Sequence, residues 1–181
     1  ILGTFDRSLC LIITKRVSAD GLQNVLKSPL QPLIEALHRI HKPVCLSAAE
    51  QLGKQSSSVE SFNLHLRSAN LDSSDALVLA NAFTTIQEQN DLPLYSFSVS
   101  YNPGIGTDGV QALLPSLPDG VSEIGMVGCQ LRDDVGKLLI QFMARCRNLK
   151  MICVEGNLFS TSMRSQIASA GKKLEGCITI I

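Results

Sequence analysis

Several residues have types and spacings that invite chemistry. Gly104-Ile-Gly-Thr-Asp-Gly109 is a literal G-x-G-x-x-G, and Glu123 follows about 20 residues on, where a dinucleotide's ribose would want a carboxylate. Three features speak against that use. Asn102-Pro103 precedes the glycines, the same segment aligns with others that lack them, and Ser96, Ser98 and Ser100 mark one face of the preceding strand as polar. Gly53-Lys54 falls short of a phosphate loop, because Ala48 stands where its first Gly belongs and Gln55 where Ser or Thr is required. His38 and His41, at i and i+3, read as a solvated pair. His65 stands apart, and no Cys/His spacing suits zinc. The six cysteines (Cys10, Cys45, Cys129, Cys146, Cys153, Cys177) form no CxxC and read as reduced, mostly buried thiols. Cys153 is the one whose alternation puts it on an exposed strand face, with the best access for reaction. The expectation is a chain with no catalytic residue, no metal and no cofactor.

Composition narrows the remaining classes. In 181 residues, 16 basic and 16 acidic side chains cancel, which disfavours a mainly electrostatic grip on nucleic acid or anionic membrane. At 45% hydrophobic the chain is too apolar for intrinsic disorder. Only 4% is aromatic, Trp is absent and 26 residues are Leu, so the core is aliphatic and the leucines call for a search for repeats. Leu9 to Ile13 is far too short an apolar run to span a bilayer. The chain starts at Ile1 without a signal-type segment and has no N-x-Ser/Thr sequon, which reads as a cytoplasmic, intracellular piece of a longer protein.

The elements that position these residues recur. Leu94 to Asn102, Val121 to Leu131 and Leu149 to Phe159 each read L-x-x-L-x-L-x-x-N/C-x-L, with Ile, Val, Met or Phe free to replace Leu. An earlier copy carries Leu64, Leu66, Ala69 and Leu71, and in the Leu94 copy an inserted residue moves the last apolar place to Ile105. The starts at Ser61, Leu94, Val121 and Leu149 lie 33, 27 and 28 residues apart. The L-x-L core alternates like a short strand with one buried face. The Asn or Cys sits where the chain turns inward, its side chain suited to orphaned backbone groups, Cys more weakly. The period then becomes helical: Val110, Leu113, Leu114 and Leu117, and again Val135, Leu138, Leu139 and Phe142. Asp108-Gly109 and Asp133-Asp134 fall at the helix starts, where carboxylates cap free N–H groups. One strand and one helix cannot bury their apolar faces alone, but a stack of such units can.

These motifs, Tyr101-Asn-Pro-Gly-Ile-Gly-Thr-Asp-Gly109 among them, resemble the leucine-rich repeat family in its ribonuclease-inhibitor-like class, with repeats of about 28 residues. The resemblance implies an α/β leucine-rich repeat solenoid, a horseshoe with parallel strands on the concave side and helices on the convex side. Residues 61–173 would be the repeats. Residues 1–60 would be degenerate repeats or a helical cap, and 174–181 a C-terminal capping strand. Within 1–60, Cys10, Ile12 and Val17 fit strand and turn positions, and a helix follows through Leu22, Val25 and Leu26. Leu33, Leu37 and Ile40 suggest a second helix, Val44-Cys-Leu46 a short strand, and Lys54 to Ser58 a loop.

Function is then expected on the concave strand face, at a strip holding Phe62, His65, Arg67, Tyr95, Ser98, Tyr101, Glu123, Lys150, Met151 and Glu155. Tyr, Phe, Met and Arg are enriched at protein interfaces, and small Ser and Gly between them leave room for a partner. The expectation is a protein-interaction module that binds a protein partner without catalysis. Two alternatives are a GTPase-activating regulator of the Ran type, although the acidic tail usual there is missing, and a terminal structural part of a larger solenoid. Neither nucleic acid nor membrane is an expected partner, and the oligomeric state is left open.

Overall fold

The computed structural model describes residues 28–54, 60–89, 93–146 and 148–181. The expectations for Cys10, Ile12, Val17, Leu22, Val25 and Leu26, and for Gln55 to Ser58, fall outside them. The fold is α/β. Among the described residues two helices come first, α1 (Gln31–Ile40) and α2 (Pro43–Gly53). In α1, Pro32 occupies the first turn, where its missing N–H is not needed, and Leu33, Ala36 and Leu37 form the buried face. His41, with φ 55°, ends the helix and donates its N–H to the Leu37 carbonyl.

The expected strand at Val44-Cys-Leu46 is instead part of α2. Three adjacent apolar residues suggested a strand, but the longer pattern decides the matter. Cys45, Ala49 and Leu52 are buried at i, i+4 and i+7, and Pro43 starts the helix. Burial, with the Asp75 carboxylate nearby, pushes the Cys45 thiol up to about 11, against a lowering by Lys42.

Strands and helices then alternate as β1 (Phe62–His65), α3 (Ser73–Gln89), β2 (Leu94–Ser98), α4 (Gly106–Ser116), β3 (Glu123–Gly125), α5 (Asp133–Arg145), β4 (Met151–Cys153), α6 (Thr161–Gly171) and β5 (Ile178–Ile180). All pairs are parallel and the spatial order β1-β2-β3-β4-β5 follows the chain. The helices follow the same order, with α1 on α3, α3 on α4, α4 on α5 and α5 on α6. Leu64, Phe97, Ile124 and Ile152 point from the strands into a core that also takes Phe83, Leu113, Leu139 and Ile167 from the helices. The 33-residue first spacing reflects the 17 residues of α3, against 11 in α4 and 13 in α5. No described helix is long and apolar enough to cross a membrane.

The turns after the strands hold the units together. Asn102 is fully buried; its Nδ2 donates to the carbonyls of Leu66 and Val99, each at 2.8 Å, and its Oδ1 accepts from the Leu71 N–H at 2.9 Å. Asn157 does the same one layer on. Its Nδ2 donates to Met126 and Val154 at 2.7 Å, and its Oδ1 accepts from Cys129 and Leu131 at 2.9 and 3.1 Å. Between them Cys129 makes the weaker version expected of a thiol, with Sγ 3.3 Å from the Val99 carbonyl. The residue before each of these three positions, and before Ala69 in the first unit, turns left-handed: Ser68 at φ 51°, Tyr101 at 61°, Gly128 at 61° and Gly156 at 68°.

The acidic residues at helix starts behave differently from expectation. No side chain caps α4 or α5 at the N-cap position, although Asp134 accepts from the adjacent Val135 N–H at 2.9 Å. Asp133 instead reaches the next unit and accepts from the Ser160 N–H at 2.8 Å and the Ser160 hydroxyl at 2.6 Å. Ser160 in turn caps α6 by accepting from the Met163 N–H at 3.1 Å.

Candidate interaction face

The sheet side opposite the core carries the sequence-predicted strip, and the register aligns it into rows. Asn63, Ser96, Glu123, Met151 and Ile178 form one row. His65, Ser98, Gly125, Cys153 and Ile180 form the next. Beyond them the backbone bonds Tyr101 N–H to Val127 O and Gly128 N–H to Glu155 O continue the order, bringing Arg67, Ser100, Val127 and Glu155 abreast. On the other flank Ser122 bonds Tyr95 O and Lys150 bonds Ser122 O, which aligns Tyr95, Ser122 and Lys150. His65, Arg67, Tyr95, Tyr101, Glu123, Lys150, Met151 and Glu155 are thus brought onto one surface, all at least partly exposed.

Two members of the expected strip are buried rather than exposed. Phe62 is buried, because β1 alternates Phe62-in, Asn63-out, Leu64-in, His65-out. The register jumps there: Phe62 pairs with Leu94, but Asn63 already pairs with Ser96. This copy is therefore one residue shorter than the pattern, and Phe62 fills the first core slot that the sequence alignment gave to Ser61. Ser98 does face the strip, but it is buried rather than exposed, as are Ser96 and Ser100. Their short side chains sink below the neighbouring large ones, so a polar strand face is a covered floor here and not a solvated surface.

That floor is internally bonded. His65 Nε2 and Ser96 Oγ are 2.8 Å apart, Ser98 Oγ donates to Ser100 Oγ at 3.1 Å, and Ser100 Oγ accepts from the Val127 N–H at 3.1 Å. A Cβ on Gly125 would lie 2.7 Å from Ser98 Oγ, so the absence of a side chain there lets Ser98 lean across. The result is a trough of about 240 Å³ whose walls include Arg67, Tyr101, Met151, Cys153 and Glu155. The His65–Ser96 contact pairs a base with a hydroxyl, but β2 is paired on both sides. Its backbone N–H groups lie in the sheet plane and so do not rise to hold an oxyanion above Ser96.

Aromatic rings organise the cations. The Arg67 guanidinium sits 5.4 Å from the centre of the Tyr101 ring, and the Lys150 ammonium 6.0 Å from that of Tyr95. Tyr101 is 48% exposed and has a left-handed backbone, which a bulky residue adopts only under constraint. Its ring lies over the next turn, 3.1 Å from where a Cβ on Gly128 would stand, so a glycine there makes room for it.

The two ion pairs among the described residues, Lys42–Asp75 and Arg145–Asp119, lie off this face. Glu123 and Glu155 therefore have no cationic partner within 4.0 Å among those residues. Burial, then Glu155 and Glu123, push the Cys153 thiol above its ordinary value, against a smaller lowering by Arg67. Cys153 is accessible as expected, but its surroundings suppress the thiolate rather than promote it. Burial dominates at Cys129 and Cys146 as well, and Cys146 is pushed up to about 11.

Sequence reasoning missed Ile178 and Ile180, which are 55% and 39% exposed on this face. The Ile-Thr-Ile alternation suggests that the isoleucines face the core. Pairing reverses it: Thr179 lies opposite the fully buried Ile152, so both isoleucines point outward beside Met151 and Cys153. Elsewhere, a Cβ on Gly104 would meet the Leu71 carbonyl at 2.9 Å and one on Gly109 would meet Ala76 Cβ at 3.0 Å. Gly104 and Gly109 are thus spent on packing against the preceding unit, while Gly106 has open space around it and takes a left-handed φ of 56°. His38 and His41 are exposed. No group of His, Cys, Asp and Glu among the described residues is arranged to hold a metal ion. No family model matches the chain, and no curated protein matches it.

Proposed function

We propose that the chain is a leucine-rich repeat solenoid that binds a protein partner on its open, concave strand face and catalyses no reaction itself. The solenoid reading is supported by strands and helices that stack in chain order and by asparagine bonds that cross from one unit to the next. One observation carries the functional reading. Of the exposed large hydrophobics among the described residues, Leu77 and Leu158 lie elsewhere, whereas Tyr95, Tyr101, Ile178 and Ile180 share the strand face. Apolar and aromatic side chains gathered on a preformed surface, rimmed by charge, are what protein interfaces are built from.

The test is affinity capture with crosslinking, comparing the unaltered chain with the triple variant Arg67→Ala/Tyr95→Ala/Tyr101→Ala. The expected result is a partner crosslinked through Lys150 and lost from the variant, with the circular dichroism of the two proteins alike. A partner retained in full by the variant would remove the strand face from consideration.

A further inference from the structure

The trough has dimensions, a floor and an unmatched charge, and together these select an occupant. This step rests on the open-face reading above and adds what sits there. We propose that the partner segment is an amphipathic α-helix with a basic flank, lying along the trough over β2 and β3.

Size comes first. The serines run from β2 into the turn that ends at Tyr101, and the strand part from Leu94 to Ser98 alone spans about 16 Å, the length of roughly 11 helical residues. Arg67 follows β1, and Met151 and Glu155 lie on and after β4, three strand spacings or about 14 Å away, with Tyr101 at one end; that span admits a helix of about 10–12 Å diameter.

Hydrogen bonding then separates a helix from an extended segment. The hydroxyls of Ser96, Ser98 and Ser100 are already engaged with His65, with one another and with the Val127 N–H. The strand N–H and C=O groups beneath are paired within the sheet. An extended peptide would bury its own backbone groups against a floor with little left to offer them, whereas a helix satisfies them internally.

Apolar area and charge orient it. Met151, Ile178 and Ile180 form a hydrophobic wall on the β4–β5 side. Arg67 and Lys150 already lie against tyrosine rings, while Glu123 and Glu155 have no cationic partner among the described residues. Glu123 and Glu155 line the trough together with Cys153, and both raise its thiol against a smaller lowering by Arg67. The trough lining sets two carboxylates, Glu123 and Glu155, against Arg67 alone, so its excess charge is negative, and a Lys or Arg on the helix supplies the opposite one.

The experiment uses three fluorescein-labelled 14-residue peptides at about 50 mM and about 300 mM salt, read by anisotropy against the 181-residue chain. The first has an Ala/Leu face and a Lys flank, the second is the same with two central prolines, and the third replaces Lys by Glu. The Lys helix is expected to bind at least tenfold more tightly than either control. The surface variant Glu123→Gln/Glu155→Gln is expected to cost it at least fivefold and to flatten its salt dependence. Equal binding by the proline peptide, tighter binding by the Glu peptide, or no binding by any of the three overturns the proposal. A natural partner lost with the tyrosine variant but indifferent to Glu123→Gln/Glu155→Gln overturns the basic helix and leaves the open-face reading standing. Indifference to both variants removes both.

Discussion

Replacing Asn102 by Ala tests how the units are joined. The substitution removes two Nδ2 bonds of 2.8 Å, to Leu66 O and Val99 O, and the 2.9 Å bond from Leu71 N–H to Oδ1. All of this occurs at a fully buried position, where water cannot replace what is lost. At about 1 kcal/mol per bond, with about 1–3 kcal/mol more for the stranded Leu71 N–H, the expected loss is about 4–6 kcal/mol. That is a large share of the roughly 5–15 kcal/mol that holds an ordinary domain. Urea denaturation followed by circular dichroism measures it as a fall in midpoint. Asn102→Asp sharpens the test, because Asp keeps the acceptor for Leu71 but turns a carboxylate toward two carbonyls. At neutral pH it is expected to cost at least as much as Asn102→Ala. Asn157 bonds Met126, Val154, Cys129 and Leu131, and Cys129 also reaches the Val99 carbonyl that Asn102 holds, so the double variant Asn102→Ala/Asn157→Ala should depart from the sum of the two costs. A loss below about 1 kcal/mol for Asn102→Ala, or an Asp variant milder than the Ala one, would refute the reasoning.

Three other outcomes follow from the same contacts. Tyr101→Gly relieves a left-handed bulky residue and is expected to leave the urea midpoint unchanged or raised while weakening partner capture; a parallel loss of both would mean that the ring is mainly structural. Thr179 Oγ1 is buried without a partner among the described residues and lies 2.0 Å from where a Cβ on Gly171 would be, so Gly171→Ala is expected to loosen β5 and Thr179→Ala to be neutral or stabilising. Thr179→Ala should also soften the Gly171→Ala loss, as thermal melts of the double-mutant cycle would show. The Ser160 hydroxyl and N–H hold the Asp133 carboxyl below its usual value, so its stabilisation is present above the unfolded value near 4 and is lost as pH falls through the lowered folded value. Asp133→Asn should therefore flatten the acid limb of urea midpoints recorded from about pH 5 to about pH 2, and an unchanged limb would remove Asp133 as a contributor.

Local pattern carried most of the fold. Alternation at Phe97-Ser98-Val99 and Ile152-Cys153-Val154, followed by helical spacing at Val110, Leu113, Leu114 and Leu117, placed strands and helices correctly, because each element must bury one face with its own period. The roles of Asn102, Cys129 and Asn157 were legible too, since an inward turn orphans backbone groups that only such side chains reach. The pattern failed where it was short or interrupted. Val44 to Leu46 looked like a strand until the helical spacing of Cys45, Ala49 and Leu52 was met by a packed neighbour. Phe62 was misplaced because a one-residue register jump in β1 inverts the assignment of faces.

The sequence by itself determined the order of elements, the aliphatic core and the column of Asn and Cys, all of which depend on residues close together in the chain. Only the tertiary structure decided what the open face is like. Which way Ile178 and Ile180 point follows from pairing with β4, and the burial of Ser96, Ser98 and Ser100 follows from large neighbours such as His65 and from Ser98 leaning over Gly125. The left-handed Tyr101 gains its place from a glycine in the next unit, 27 residues away. Those are properties of side chains from different units meeting across a sheet, and one unit's spacing holds no information about its neighbour's size.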